Sequence, residues 1–458
     1  MPDVHLTFEL LAARERGDLG ERDFLWFLGT HLAADCHACH RELVAHLREE
    51  ERRAGREPGA DAPATEAGTA PAGPDRALEE EVRRFLDERS RGRAEARELV
   101  ALVDAQPGPD PRSVREALAL VRRARTRFRS PWTGFALVEE ARESLPDRPR
   151  RALALALLAE AVADRVPAPR GGSQVLWGAL AGLALAHQGN ARRALDDLPG
   201  AHRLFARARV ILDEAGVANA RVLAEVDALE GSLRRDQRRF PQAERLLRRA
   251  AAHWTAADEP LGLARALLTL GVLYQQWSRA AEALGAAEAA LAALPADAPR
   301  RLRLCAEHNR VDYLCDLGHP DVAAELLEAA RPLYPEFDDP WTRLRLAWVE
   351  GRIAAGLGDL ETARERLGAA REGFAAAGSL YDTALVSLEL AEAELAAGRP
   401  GAARRLAAET VELFAALEVP REAAAALAQL RRASRAEEAL TAALLRRALR
   451  ALRSARPA

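Results

Sequence analysis

The 458-residue sequence contains no lysine, and all 66 of its basic residues are arginine. A phosphate-binding P-loop, a Schiff-base amine, and the protein-kinase and Ser-x-x-Lys signatures each require lysine, so these chemistries are excluded. The formal net charge is −3, and arginine-rich stretches such as 122–129 are interrupted by apolar residues. We therefore expect solvated helix faces and no nucleic-acid partner.

Aromatic residues make up only 5% of the chain, and runs of β-branched residues are nearly absent, so we expect no sheet. No apolar run reaches the roughly 18 residues of a membrane span, and no signal peptide is visible at the start. Cys305 and Cys315 are separated by about 15 Å along one predicted helix, beyond disulfide reach. These absences predict a cytoplasmic protein with no membrane partner.

Six copies of one helix-pair pattern, about 40 residues apart, run from Gly182 to Thr410. A small residue recurs in each first helix at Gly189, Gly231, Gly271, Val311, Gly351 and Ala391. In each second helix an alanine recurs at Ala201, Ala243, Ala283, Ala323, Ala363 and Ala403, and a second small residue at Ala208, Ala250, Ala290, Ala330, Ala370 and Thr410. Small residues at fixed spacings mark close helix contacts, and such units must stack on their neighbours.

This pattern resembles the tetratricopeptide repeat. The copy from Ala264 fits best, with its matches at Leu270, Gly271, Tyr274, Ala283, Ala290 and Pro295. The period is nearer 40 than the family's 34 residues, which implies longer helices, and most first-helix aromatics are missing. The resemblance implies an all-α, right-handed alpha-solenoid of helix pairs.

Changes in composition divide the chain into five regions. We predict a small helical domain at 1–50, a flexible linker at 51–76 and a helical region with a degenerate leading repeat at 77–173. The six repeats occupy 174–420, and capping helices occupy 421–458. Such caps are needed because a terminal repeat has no neighbour to cover its apolar face.

The most concentrated group of metal-binding residue types lies near the N-terminus. Cys36 and Cys39 stand about one helical turn apart, and His31 precedes them. A closed tetrahedral zinc site needs a fourth ligand, for which His5 and His40 are candidates. The same residues also fit haem attachment, a redox dithiol, a catalytic zinc, or a zinc-free unit held by packing alone.

Residues 5–48 resemble the zinc-binding domain of bacterial anti-sigma factors: a helix ending in His31-Leu32, a short turn, then Cys36-x-x-Cys39. Four residues separate His31 from Cys36, where the family usually has three. The resemblance implies zinc bound by His5, His31, Cys36 and Cys39, and a sigma factor as partner.

In the repeat family, first-helix residues line a groove that binds a partner peptide or helix. By position, the groove residues of this chain are Asn190, Arg193, Ser232, Arg235, Arg265, Gln275, His308, Asp312, Trp348, Arg352 and Glu392. Arginines beside amide side chains suit an acidic segment through bidentate contacts. We therefore predict a non-enzymatic interaction scaffold in bacterial regulation or signalling. The alternative is an anti-sigma-like regulator with the repeats as its sensor.

Overall fold

The computed structural model describes residues 74–105, 111–166 and 173–416, and within these residues every regular element is a helix. The first seven are α1 (Pro74–Val103), α2 (Pro111–Arg123), α3 (Pro131–Ser144), α4 (Pro149–Ala163), α5 (Ser173–Ala194), α6 (Leu198–Glu214) and α7 (Ala220–Asp236). The next five are α8 (Phe240–Ala256), α9 (Pro260–Gln276), α10 (Ala280–Ala293), α11 (Arg300–Leu317) and α12 (Pro320–Ala330), and a 3₁₀ helix, η1 (Arg331–Glu336), follows them. The last four are α13 (Pro340–Leu357), α14 (Leu360–Ala376), α15 (Leu380–Ala396) and α16 (Pro400–Ala416).

The predicted all-α fold, a solenoid of tetratricopeptide-like helix pairs, is confirmed in these residues. Helix α1 begins at Pro74, inside the segment predicted as a linker. The predicted N-terminal domain at 1–50 and the capping helices at 421–458 lie outside the described residues. No helix in the described part of the chain is long and apolar enough to cross a membrane.

The described residues form two compact units, and the boundary between them falls within α7, between Glu230 and Gly231. In the first unit, α3 packs against α4, α4 against α5, and α5 against α6. Helix α1 packs on α3 and α4, and α2 packs on α1 and α4. Helices α3 and α4 occupy the residues predicted to form the degenerate leading repeat.

In the second unit each helix from α8 to α16 packs against the next one in the chain. The first helices α9, α11, α13 and α15 also contact one another in succession. An apolar core cluster fills the space between neighbouring pairs, with Leu304 and Val311 of α11 against Leu327 of α12 and Ile353 of α13. Each pair therefore buries its apolar face on its neighbours, as stacked repeats require.

The recurring small residues lie at the helix contacts that the sequence predicts. All twelve of those predicted on the second helices are at most 4% exposed. On the first helices, a Cβ added at Gly351 would lie 2.7 Å from Leu367 Cγ, and one added at Gly231 would lie 2.8 Å from Leu247 Cγ. Since real Cβ atoms do not approach so closely, these glycines let the two helices of a pair meet.

In each of the six pairs from α5 to α16, a residue in the left-handed region closes the turn between the two helices. Gly318 (φ 80°) and Gly358 (φ 84°) cap α11 and α13, and Gly398 (φ 71°) follows α15. In earlier repeats Arg238 (φ 60°) and Ser278 (φ 59°) adopt the same conformation without being glycine. The turn geometry is thus retained in copies whose sequence does not favour it.

A candidate partner-binding surface on the first helices

In the first unit, two predicted groove residues lie together on α5. Asn190 is only 4% exposed, and its side-chain oxygen accepts a hydrogen bond of 2.9 Å from Arg193 Nε. His187 on the same helix lies 2.9 Å from Glu225 of α7. The Arg193 side chain is therefore bonded within its own helix, to Asn190 three residues earlier.

Among the predicted residues at the start of the second unit, Arg235 is the most constrained. Its guanidinium forms an ion pair of 2.9 Å with the neighbouring Asp236, and its side chain is 13% exposed. Ser232 is half-buried on α7, and Arg265 is exposed on α9.

Three predicted residues, Gln275, Asp312 and Arg352, are brought together across α9, α11 and α13. Gln275 Nε2 donates to Asp312 Oδ2 at 2.7 Å and to Asp316 Oδ2 at 2.9 Å. Arg352 donates to the same Asp312 carboxylate and to Asp316 Oδ1 at 2.6 Å. One polar network therefore ties three successive first helices.

The network continues to a fourth first helix through Glu389 of α15. Arg352 Nε lies 3.2 Å from Glu389 Oε1, and the indole Nε1 of Trp348 donates to the other oxygen of this carboxylate. We name Asp312, Asp316, Arg352 and Glu389 the Arg352 cluster. The Arg352 side chain is 9% exposed, whereas that of Asp312 is 24% exposed, so solvent reaches the cluster at its α11 side.

Three carboxylates thus share one guanidinium in a largely buried setting. Burial raises the pKa of Glu389 to about 7, although Arg352 opposes this shift, and the charges of Asp312 and Glu392 add to it. Burial disfavours the charged form of Arg352, but Asp312 and Glu389 outweigh it and raise the pKa of the guanidinium. Glu392 therefore acts on the cluster through its charge from the next turn of α15.

Arg352 is therefore paired with three carboxylates of its own chain, which its place in the sequence did not indicate. Asp316 and Glu389 were not among the predicted residues. The sequence did contain an indication of this cluster. Asp312 and Arg352 lie one repeat apart, at equivalent positions of successive first helices. Asp316 follows Asp312 by one helical turn, on the same face.

His308 and Trp348 are placed by packing as well as by polar contacts. His308 Nδ1 shares a hydrogen bond of 2.9 Å with the Tyr334 hydroxyl, and the two rings meet edge-to-face at 6.3 Å. Burial lowers the pKa of His308 to about 4; Asp312 opposes this shift, and Arg345 and Arg352 add to it. The Trp348 ring packs edge-to-face on Phe374 at 5.7 Å.

Arg345 is an exposed residue of α13 that the repeat pattern did not single out. It precedes Trp348 by three residues and Arg352 by seven, which places all three on one face of α13. Its side chain is exposed, and no hydrogen bond or ion pair reaches it from residues 74–105, 111–166 or 173–416. Its positive charge favours a lower pKa at both His308 and Cys305 of α11.

The predicted metal ligands His5, His31, Cys36 and Cys39 all lie outside the described residues. Within the described ranges, no group of three or more histidine, cysteine or acidic side chains is arranged to hold a metal ion. The zinc site stays a prediction from sequence.

The fold is a helical-repeat solenoid built of tetratricopeptide-like helix pairs. No protein-family model and no curated protein matches the sequence. A solved Rap protein, complexed with competence and sporulation factor, is similar with a TM-score of 0.53 and 13% identity, over 70% of this chain and 89% of that chain. The apo form of RapI is similar with a TM-score of 0.47 and 11% identity, over 69% of this chain and 85% of that chain. The likeness to the first Rap structure shows a shared helical-repeat fold.

Proposed function

We propose that this chain is a non-enzymatic interaction scaffold that binds a peptide or helix of a partner protein, in bacterial regulation or signalling. The binding surface is the face formed by the first helices of the second unit, from α9 to α15. It contains the predicted residues Gln275, His308, Asp312, Trp348, Arg352 and Glu392.

The observation that carries this proposal is the concentration of charge in the Arg352 cluster. The apolar clusters between the helix pairs already bury the faces that stacking requires. Desolvating several charges for the fold alone costs more than packing apolar residues of similar size at the same positions. Four charged side chains in a largely buried cluster that solvent reaches at Asp312 therefore fit a recognition role better than a purely structural one.

The fold is compatible with such a role. The similar Rap protein was solved in complex with competence and sporulation factor. Stacked helix pairs present an extended surface with side chains at regular intervals, which suits a segment of polypeptide better than a small metabolite.

A selection experiment tests this function. The purified full chain is immobilised and presented with a random 12-residue peptide library, and selected peptides are synthesised and their affinities measured. A benzophenone-bearing residue at Arg265 on α9 should crosslink to bound peptide under light. The same residue at Glu325, exposed on the second helix α12, is the matched control and should not crosslink. Failure to select any peptide, or equal crosslinking at both positions, would refute the proposal.

A second proposal rests on the N-terminal sequence. His5, His31, Cys36 and Cys39 supply two thiols and two imidazoles, a set that suits a closed tetrahedral zinc site. In this alternative the chain is a zinc-dependent anti-sigma-like regulator that holds a sigma factor, and the repeats serve as its sensor.

Elemental analysis of the full chain, purified under reducing conditions without chelator, tests the zinc site. We expect about one equivalent of zinc, lost in Cys36→Ser. Cys305→Ser, which changes a cysteine of α11 far from this segment in sequence, is the control and should keep its zinc. A metal-free parent protein would contradict the zinc proposal.

A further inference from the structure

One strongly charged part of the first unit is α2 together with the segment that joins it to α3. Residues 111–130 contain seven arginines and one glutamate, so their net charge is +6, whereas that of the whole chain is −3. All seven arginines are exposed. The apolar residues of α2 lie on its opposite side, where Ala117 and Val121 are buried and the helix packs on α1 and α4. The arginines of α2 therefore form an outward face.

Two of the seven arginines are paired with carboxylates of the chain. Arg112 pairs with Glu116 at 3.2 Å, and Arg127 pairs with Glu98. No hydrogen bond or ion pair joins the side chains of the other five to residues 74–105, 111–166 or 173–416. These five, which we name the α2 arginine surface, are Arg115, Arg122, Arg123, Arg125 and Arg129.

The helix dipole explains only two of these positions. Arg122 and Arg123 lie in the last turn of α2, where a cation is stabilised. Arg115 lies two turns before Arg122 on the same side of the helix, and Arg125 and Arg129 follow the end of the helix. Like charges concentrated in this way repel one another and destabilise the compact state. An anionic partner would relieve this repulsion.

A further guanidinium reaches the end of α2 from the segment after α4. Arg165 Nη1 donates to the carbonyl oxygen of Arg122 at 3.0 Å, and Arg165 Nη2 donates to the carbonyl oxygen of Ala124. Both acceptors are backbone oxygens, and no carboxylate in the described ranges pairs with Arg165. The positive charge is therefore concentrated where α2 ends.

Acidic residues limit this surface on the sides of α1 and α4. Glu98 of α1 holds Arg127, and the exposed Asp164 follows the end of α4. Burial raises the pKa of Asp164, Glu160 adds to this rise, and the positive charge of Arg122 opposes it. A nucleic-acid duplex carries a charge about every 1.7 Å and would extend past these acidic groups. A compact acidic surface fits the limited extent of the arginines better.

The apolar residues of this region also favour a protein partner. Phe128 is fully buried and Trp132 is 6% exposed, so neither ring can stack on a base. None of the large apolar side chains of residues 111–130 is exposed for insertion into a membrane. Arginine binds a carboxylate through two parallel hydrogen bonds, so the Asp and Glu side chains of a protein suit this surface.

We propose that the α2 arginine surface docks an acidic surface of a second protein, whose Asp and Glu side chains pair with the five arginines. This interaction lies in the first unit. It goes beyond the peptide-binding role proposed for the first helices of the second unit and does not depend on it.

Charge-matched probes test this proposal on the purified full chain in 50 mM NaCl. The acidic probe is a dye-labelled, helix-forming alanine peptide with Glu residues on one face, and the same peptide with Gln in place of Glu is the reference. A single-stranded oligonucleotide with as many phosphates as the peptide has carboxylates, and vesicles containing phosphatidylserine, are the other probes. We expect the acidic peptide to bind at least tenfold more tightly than its reference in fluorescence anisotropy, and its binding to weaken in 300 mM NaCl.

Two double variants locate the binding. Arg115→Gln with Arg122→Gln should weaken binding of the acidic peptide at least tenfold. The matched control, Arg245→Gln with Arg404→Gln, removes the same net charge from α8 and α16. Both control arginines are exposed and have no hydrogen bond or ion pair within the part of the chain that the structure describes, so this variant should bind like the parent. The melting temperatures of both variants should match that of the parent, since all four side chains are exposed.

Several results would overturn the proposal. Equal losses in the two double variants would show that net charge alone controls binding. Tighter binding of the oligonucleotide, or vesicle co-sedimentation that Arg115→Gln with Arg122→Gln abolishes, would assign the surface to a nucleic acid or a membrane. Self-association in sedimentation velocity that the same variant abolishes would assign it to a second copy of this chain. These variants leave the first helices of the second unit unchanged, so the scaffold function is tested separately.

Discussion

Gly351 provides a sharp test of the close helix contacts. In an ordinary helix interior, Gly→Ala stabilises by about 0.5–1 kcal/mol because alanine has the higher helix propensity. Here the new Cβ would lie 2.7 Å from Leu367 Cγ and 3.1 Å from the backbone nitrogen of the same residue. The Leu367 side chain is fully buried, and a backbone atom moves only if α14 shifts against α13. Overpacking of this kind costs about 1–3 kcal/mol.

We therefore expect Gly351→Ala to lower the free energy of unfolding by about 1–2 kcal/mol, since the steric cost exceeds the propensity gain. Gly368→Ala in α14 is the matched control, because a Cβ there would meet no atom within 4 Å. This control should be stabilised by about 0.5–1 kcal/mol. The two variants receive the same methyl group in the same helix pair, and only the contact differs.

Urea unfolding followed by far-ultraviolet circular dichroism gives both values. A third variant, Leu367→Ala, and its combination with Gly351→Ala complete a double-mutant cycle. Removing the Leu367 side chain makes room for the added methyl, so the double variant should be more stable than the sum of the single changes predicts. An increase in stability for Gly351→Ala, or strict additivity in the cycle, would refute the close-contact reasoning.

Three further predictions concern turns and protonation. Gly318→Ala should lower the free energy of unfolding by about 1–2 kcal/mol because φ is 80° at this position. Gly285→Ala is the control: it lies in a helix with open space around the added Cβ and should raise the free energy of unfolding by about 0.5–1 kcal/mol. Equal effects of the two changes in urea unfolding would contradict this prediction. The pKa of Glu389 is raised from 4.5 to about 7 in the folded state, so its contribution to stability is full below pH 4.5 and is lost as pH rises to 7. The free energy of unfolding of the parent protein should therefore fall by about 3 kcal/mol between pH 4.5 and 7, and Glu389→Gln should remove this fall. If the free energy of unfolding of parent and variant changes in parallel with pH, the prediction is refuted. The pKa of His308 is lowered from 6.5 to about 4 in the folded state, so the contribution of this neutral ring to stability is full above pH 6.5 and is lost as pH falls to 4. His308→Asn should lessen this loss of stability in acid, measured as the free energy of unfolding against pH.

The repeat pattern was readable from the sequence because it depends on local geometry. A small residue at a helix contact is required wherever two helices approach closely, so its spacing reports the period of the pairs. The buried positions of Ala283 and Ala323 follow directly from this rule. The turn conformation at Gly318 was readable for the same reason, but that at Arg238 was not, because arginine has no intrinsic preference for positive φ.

The state of each charged side chain was decided by the tertiary structure. Sequence position placed Arg352 on a first helix but could not show that carboxylates from α11 and α15 hold it. These contacts join residues 36 to 40 positions apart, and they form only when the first helices pack side by side. The same packing leaves Arg345 exposed, although both residues are arginines on one face of one helix. The sequence thus determined which helices form and how they pair, while lateral packing determined which charges remain available to a partner.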